Sequence, residues 1–214
     1  MCYNTLGDVM QSILGQIDHE FIEKKSRFIG LLYHVEDVNQ VNKILNQAKD
    51  KYPGANHYVY AYIINENKQK ASDDGEPSRT AGYPVLDVLN KNNLNDVLAI
   101  VIRYFGGIKL GAGGLIRAYS HTISETIKKA TFIEKVTSYY CEFITDYEHL
   151  NDIERYLRAN SQIDNITYLE NIKFDFYVYN NQIEHVKDKL YQLNNFKDNL
   201  KVIEEKQVYA KVSH

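Results

Sequence analysis

The sequence predicts an α+β protein in two domains. Three observations predict it. Over residues 19–130, short runs of Val, Ile, Phe and Tyr alternate with stretches whose apolar residues recur at helical spacing. From about residue 137 the pattern restarts as strand, helix, strand, strand, helix, strand. The charge balance changes with it: the first 136 residues are close to neutral, whereas the rest carry 9 Lys and Arg against 13 Asp and Glu. No Pro/Gly linker marks the join. The restart of the pattern therefore sets the boundary, giving domains 1–134 and 135–214.

In chain order, HEFIEKKSRFIGLLYHV (19–35) reads as two strands, or one bent strand, broken at Glu23–Ser26. Residues 36–52 place Val38, Val41, Ile44, Leu45, Ala48 and Tyr52 on one helical face, and Pro53-Gly54 ends that helix. HYVYAYII (57–64) is a buried strand. KQKASDDGEPSRTAGY (68–83) is a polar loop with turn residues Asp74-Gly75 and Pro77. A short helix follows from Pro84 to Lys91, with proline tolerated in its first turn. DVLAIVIRY (96–104) is almost wholly apolar, as expected of a central strand covered on both faces. After it, Ile116, Tyr119, Ile123, Ile127 and Ala130 mark the inner face of a long helix.

The second domain begins with a strand at 137–145. A helix at 148–159 follows, with Leu150, Ile153, Tyr156 and Leu157 inward. Segments 163–169 and 172–179 form a hairpin in which Ile172, Phe174, Phe176 and Val178 alternate. A helix at 181–194 carries Ile183, Val186, Leu190 and Leu193, and a last strand lies within 200–212. That order is the split β-α-β arrangement of ferredoxin-like domains.

Composition excludes several classes. At 44% hydrophobic and 25% charged, the chain is an ordinary globular protein. No apolar run approaches the ~20 residues that span a bilayer, and MCYNTLGDVM lacks the pattern of a secretory signal. Two distant cysteines, Cys2 and Cys141, fit reduced thiols, so a cytoplasmic location and no membrane partner are expected. They cannot make a Cys-rich zinc site. The seven histidines form no H-x-x-x-H pair on one helix, which argues against a zinc enzyme. With a pI near 6.2, neither domain is a basic nucleic-acid binder as a whole, so any such contact must be local and no DNA sequence readout is expected.

The stretch RYFGGIKLGAGGLIRAYS (103–120) packs Gly106, Gly107, Gly111, Gly113 and Gly114 into nine residues ahead of a helix. It is not a P-loop, because Ala112 and Gly113 stand where Lys and Ser/Thr should follow Gly111. Nor is it a dinucleotide fingerprint, because Ile116 replaces the third glycine. What remains is a glycine-rich turn that opens a helix, whose first N–H groups lack internal partners and whose dipole is positive there. An anion suits such a place. Arg103, Lys109 and Arg117 stand nearby, and Arg117, His121, Ser124 and Lys128 form one polar stripe. Tyr104, Phe105 and Tyr119 could stack on bases or lie in the core. The glycines alone would equally serve a tight strand-to-helix turn.

SDDGEPSRTAGYP (72–84) gathers Asp73, Asp74 and Glu76 with Gly75, Ser78, Arg79 and Thr80. Clustered carboxylates can hold Mg²⁺ or act as acid and base. They also make ordinary turns through bonds to backbone N–H groups, and Arg79 could pair with one of them and cancel the site. Ser78 has no evident His–Asp relay, so no catalytic residue is assigned. His57 opens a buried strand and reads as structural.

Taken together, ASDDGEPSRTAGYPVLDVL and VIRYFGGIKLGAGGLIRAYS resemble the paired signature of the YigZ/IMPACT family, at the spacing that family shows. The resemblance covers about residues 15–130, and the remainder is similar to the small C-terminal domain of bacterial members and of elongation factor G. It implies that the first domain has the fold of domain 2 of the fifth small-subunit ribosomal protein, followed by a ferredoxin-like domain. It also implies that residues of both signatures matter. These are Asp73, Asp74, Gly75, Glu76, Ser78, Thr80, Ala81 and Gly82, with Arg79 beside them, and Arg103, Tyr104, Phe105, Gly106, Gly107, Lys109, Leu110, Gly111, Gly113, Gly114, Leu115, Arg117 and Tyr119. Eukaryotic relatives are implicated in translational control, through a partner protein bound by an extra N-terminal domain. The expectation is a non-enzymatic regulator of translation that binds RNA, the ribosome or a translation-regulating protein, with no resident cofactor. Two alternatives stand beside it: a Mg²⁺-dependent enzyme or sensor for a small phosphorylated ligand, and a purely protein-binding module in which Arg79, Asp74 and Glu76 form an internal ion-pair network.

Overall fold

A computed structural model describes residues 11–179 and 182–211. These form two compact units that part between Glu134 and Lys135, with Lys211 grouped with the first. Both are mixed α/β units with antiparallel sheets.

The first unit is organised by the sheet β2 (Gln16–Glu23), β3 (Ser26–His34), β6 (Val97–Tyr104), β4 (His57–Ile64) and β5 (Lys68–Ser72), in that spatial order. Strand β6 is central, paired with β3 on one side and β4 on the other. Alternate residues of these strands feed two separate cores. On one face Leu31, Leu98, Ile100 and Ile102 pack with Val41 and Ala48 of helix α1 (Val38–Lys51). On the other face Phe28, Val97, Ala99 and Val101 pack with helices α2 (Gly82–Lys91) and α3 (Ala112–Ile127). This two-sided burial explains why β6 reads as a continuous apolar run although the sheet is antiparallel.

Local chemistry sets the ends of these elements. Asp37 caps α1, its carboxylate accepting from the N–H groups of Asn39 and Gln40 at 2.7 and 2.9 Å. The β2–β3 hairpin turns on Lys24 and Lys25, both at positive φ, with Glu23 opposite Ser26. Helix α3 lies close on β3 because Gly30 has no side chain: a Cβ there would collide with Thr126 Oγ1.

Several details differ from the sequence reading. The polar segment 68–72 is not loop but β5, an edge strand paired with β4. Its Lys68, Gln69 and Lys70 are exposed, a composition that protects an edge and hides it from pattern reading. A three-residue strand, β1 (Gln11–Ile13), pairs with residues 132–134. Helix α2 starts at Gly82, two residues before Pro84. On α3 the inward residue is Leu115, while Ile116 is exposed.

Strand β7 (Phe132–Thr145) starts earlier than expected. Its first residues pair with β1, and Ser138–Thr145 pair with β9. The second unit continues with α4 (Leu150–Asn160), β8 (Gln162–Tyr168), β9 (Ile172–Tyr179), α5 (Ile183–Leu193) and β10 (Leu200–Lys211). Its strand order is β10–β7–β9–β8. Phe143, Ile172, Phe174, Phe176 and Val178 meet Ile153 and Leu157 of α4 and Val186 and Leu190 of α5. Among the described residues no helix is long and apolar enough to cross a membrane.

Candidate anion-binding site at the start of helix α3

The acidic loop and the glycine-rich loop, about thirty residues apart in sequence, close on one cleft of about 410 Å³. Asn56, His57, Glu76, Pro77, Arg103, Phe105, Lys109 and Gly111–Ala112 are among the residues that line it. The sheet brings them together. His57 and Arg103 are register partners on β4 and β6, and Glu76 reaches over them from the loop.

Beside this cleft lies a buried polar cluster. Arg103 Nη1 donates to Glu76 Oε1 at 2.5 Å, and the Tyr119 hydroxyl donates to the same oxygen at 2.7 Å. Arg103 is 5% exposed, Glu76 8% and Tyr119 0%. Burial, followed by the charge of Glu76, pushes the Tyr119 phenol far above its ordinary pKa, so it remains a proton donor. Arg103 Nη2 reaches Ser26 Oγ at 3.4 Å, and its Nε–H is buried without a partner. The guanidinium also lies near the Phe28 and Phe105 rings, at 5.3 and 5.4 Å. His57 Nδ1 sits 2.8 Å from the Asp74 carbonyl. A carbonyl only accepts, so Nδ1 carries the proton. Its Nε2 lies 3.8 Å from Glu76.

The two aspartates are used in holding the loop. Asp73 accepts from the N–H groups of Arg79, Ala81 and Gly82 at 2.8, 3.0 and 2.9 Å, and so caps α2 from outside the helix. Asp74 accepts from the Tyr58 N–H at 2.6 Å. Gly75 has φ +85°, and Thr80 donates to the Pro77 carbonyl at 2.6 Å. Ser78 is exposed. A Mg²⁺ held by Asp73, Asp74 and Glu76 would have to displace these bonds, so this loop does not present a ready metal site. The ion pair of the loop runs from Glu76 to Arg103, not to Arg79, whose guanidinium instead lies 4.4 Å from the Tyr83 ring. Elsewhere, Asp146, Glu148 and His149 bring ligand atoms within 4.8 Å of one another in the turn before α4, an arrangement exposed acids often show without an ion.

The glycines divide by role. Gly106 faces the molecule itself: its N–H donates to Ser26 Oγ at 3.2 Å, and a Cβ would strike the Lys25 backbone. Gly114 is held close to Leu110, where a Cβ would come within 2.9 Å. Gly107 and Gly111 adopt positive φ, 84° and 74°, in open space, and Gly111 turns the chain into α3. No side chain caps α3, and among the described residues nothing accepts from the N–H groups of Ala112, Gly113 and Gly114.

Arg117 and Lys109 line different clefts at this helix start. Lys109 lines the cleft just described. Arg117 lines a second one, of about 570 Å³, with Phe21, Glu23, Lys24, Leu110 and His121. Lys24, Lys25, Lys109 and Arg117 are all exposed, and none has a carboxylate of a described residue within ion-pair distance. Lys24 and Lys25 were not expected here; the polar break in EKKS signalled a turn, but not that this turn folds beside Gly106.

Two expected contact residues are corrected. Tyr119 cannot stack on a ligand, because it is wholly buried against Phe28 and Glu76. Arg103 is no free surface cation, because Glu76 neutralises it. Tyr104 is half-buried, its hydroxyl donating to the Pro53 carbonyl and its ring near Arg27, whereas Phe105 remains 45% exposed.

An α+β unit whose acidic loop and glycine-rich helix start share a buried Glu–Arg–Tyr cluster, followed by a smaller βαββαβ unit, defines the class. The Impact N-terminal domain family matches residues 24–127. IMPACT family member YvyE of Bacillus subtilis (strain 168) is 41% identical over 187 residues, covering 86% of each chain. The chain belongs to the IMPACT family. IMPACT family member YigZ of Escherichia coli (strain K12) is 33% identical over 150 residues, 68% of this chain and 74% of that one. The Protein IMPACT homolog of Dictyostelium discoideum matches 49% of this chain at 36% identity, but only 30% of its own length is involved. A solved crystal structure of a hypothetical protein superposes with TM-score 0.58 at 27% identity, covering 91% of this chain and 97% of that one.

Proposed function

We propose that this protein is a non-enzymatic binding protein of the translation apparatus whose first unit contacts RNA phosphates. The observation that carries the reading is the set of uncompensated cations Lys24, Lys25, Lys109 and Arg117 around the uncapped start of α3. Phosphates are favoured there twice, by the side-chain charges and by the free N–H groups with the helix dipole behind them. Exposed Phe105 adds a ring on which a base can stack, a contact of about 1–3 kcal/mol. The strand order β10–β7–β9–β8 supports a ferredoxin-like second domain. With the first domain's resemblance to a ribosomal-protein fold, that arrangement supports a translation-linked reading. Family resemblance points the same way, since eukaryotic relatives are implicated in translational control.

Co-sedimentation with ribosomes and with bulk RNA across a salt series tests the proposal. Salt-sensitive association is expected for the wild type and should be lost in Lys109→Gln/Arg117→Gln. Association that is absent from the wild type, or unaltered in the variant, removes it.

A further inference from the structure

The cleft between the acidic loop and the start of α3 contains a feature that phosphate contacts at the surface do not explain. Arg103 is 5% exposed, lines the cleft, and keeps a buried Nε–H with no acceptor among the described residues. A buried donor without a partner costs about 1–3 kcal/mol, so such groups usually meet water or a ligand. Among the described residues the first N–H groups of α3 also lack acceptors, and Ala112 lines the same cleft with Lys109. His57, whose Nδ1–H is fixed on the Asp74 carbonyl, presents Nε2, which is an acceptor in the neutral ring. The one carboxylate that lines the cleft, Glu76, has its charge met by Arg103 and its oxygen occupied by Tyr119. Apart from His57 Nε2, the unpartnered polar groups of the cleft are donors, which suits an oxyanion. Exposed Phe105 stands at its side, where an aromatic base can lie. At about 410 Å³ the cleft is within the range of small-ligand sites.

We propose that this cleft is a binding site for a phosphate monoester, held by the Arg103 Nε–H, the first N–H groups of α3 and Lys109. The ligand class is a terminal phosphate on a nucleotide, whether free or at the 5′ end of an RNA. The inference rests in part on the RNA-contacting reading, since both use Lys109, Phe105 and the first N–H groups of α3, whereas Arg117 and Lys24 line the other cleft.

Calorimetric titration of the full chain with inorganic phosphate and with adenosine monophosphate, at matched ionic strength, tests this. The wild type is expected to bind both. Ala112→Asp sets a carboxylate at the first residue of α3. The helix dipole favours that charge, so thermal stability should hold or rise while phosphate affinity falls at least about tenfold. Arg103→Lys keeps a cation for Glu76 but removes the Nε–H, and should weaken phosphate by about tenfold. A 5′-phosphorylated oligoribonucleotide compared with its 5′-hydroxyl form identifies the source. Preference for the phosphorylated form supports the site with RNA ends as its ligand, and equal binding with adenosine monophosphate still bound supports it with a free nucleotide. No binding of either phosphate probe by the wild type, or undiminished binding in Ala112→Asp, overturns the proposal. Salt-sensitive RNA association lost in Arg117→Gln with phosphate binding retained separates the two readings, because Arg117 does not line this cleft.

Discussion

Glu76 and Arg103, twenty-seven residues apart, meet at 2.5 Å with side chains only 3% and 6% exposed. Breaking a buried pair from one side leaves an uncompensated charge, at a cost of about 3–5 kcal/mol. Glu76→Ala should therefore destabilise the first unit by that amount in urea unfolding. Tyr119→Phe, which deletes a bond to a charged acceptor, should cost about 1.5–3 kcal/mol. In a Glu76→Gln background the Tyr119→Phe penalty should shrink. An unchanged penalty would show that the hydroxyl does not act through Glu76.

The glycines should respond in opposite ways to the same substitution. Gly106→Ala drives a methyl group into the Lys25 backbone and should cost several kcal/mol, in the range of severe overpacking. Gly113→Ala meets only Arg117 Nη1, at 3.6 Å, and should be neutral or stabilising by up to about 1 kcal/mol. Thermal melts of the two variants check this, and equal losses would contradict the division of roles.

Asp73 should behave as a cap and not as a metal ligand. Asp73→Ala removes an acceptor shared by three N–H groups and should cost about 1–2 kcal/mol. The loss should be the same with and without millimolar Mg²⁺. Stabilisation of the wild type by Mg²⁺ that vanishes in Asp73→Ala would instead assign the loop a metal.

Alkaline pH should weaken the fold through two groups that keep their protons when folded. Burial pushes the Cys141 thiol up to about 11 from an ordinary value near 9, and burial with Glu76 raises the Tyr119 phenol. Between pH 9 and 11 the unfolded chain therefore binds fewer protons than the folded one, so stability falls as pH rises through that window. Denaturant midpoints should hold from pH 7.5 to 8.5 and decline above 9, with a smaller decline in Cys141→Ala. For the same reason, iodoacetamide should label the Cys141 peptide at pH 8 only after denaturation.

The central elements of the fold were legible because their patterns are local. Val97–Tyr104 is covered on both faces and reads as one apolar run, and α1 announces itself through Asp37 and Pro53-Gly54. Strand β5 was not legible, because an edge strand made of Lys68, Gln69 and Lys70 has the composition of a loop. Ile116 reads as inward and Leu115 does not, since both are apolar and stand three and four residues before Tyr119, either of which fits helical spacing. At the site, the anion-suited start of α3 could be read from Gly111 to Arg117. The Glu76–Arg103–Tyr119 cluster could not, because it depends on how a loop, a strand and a helix meet. Sequence offered Arg79, three residues from Glu76, as the nearer cation, yet the strand delivers Arg103. Lys24 and Lys25 escaped notice because only the packing of Gly106 on the hairpin brings them to the site.

The account rests on uncompensated cations at the start of α3 meeting RNA phosphates, and the slope of affinity against salt measures those contacts. The affinity of the full chain for a single-stranded RNA should be followed from low to physiological salt, for wild type and Lys109→Gln/Arg117→Gln. Each phosphate contact to a single strand contributes about 0.7 to the slope of log affinity against log salt, so the variant should bind more weakly with a slope shallower by about 1.4. Identical affinity and slope in the two proteins would contradict the account.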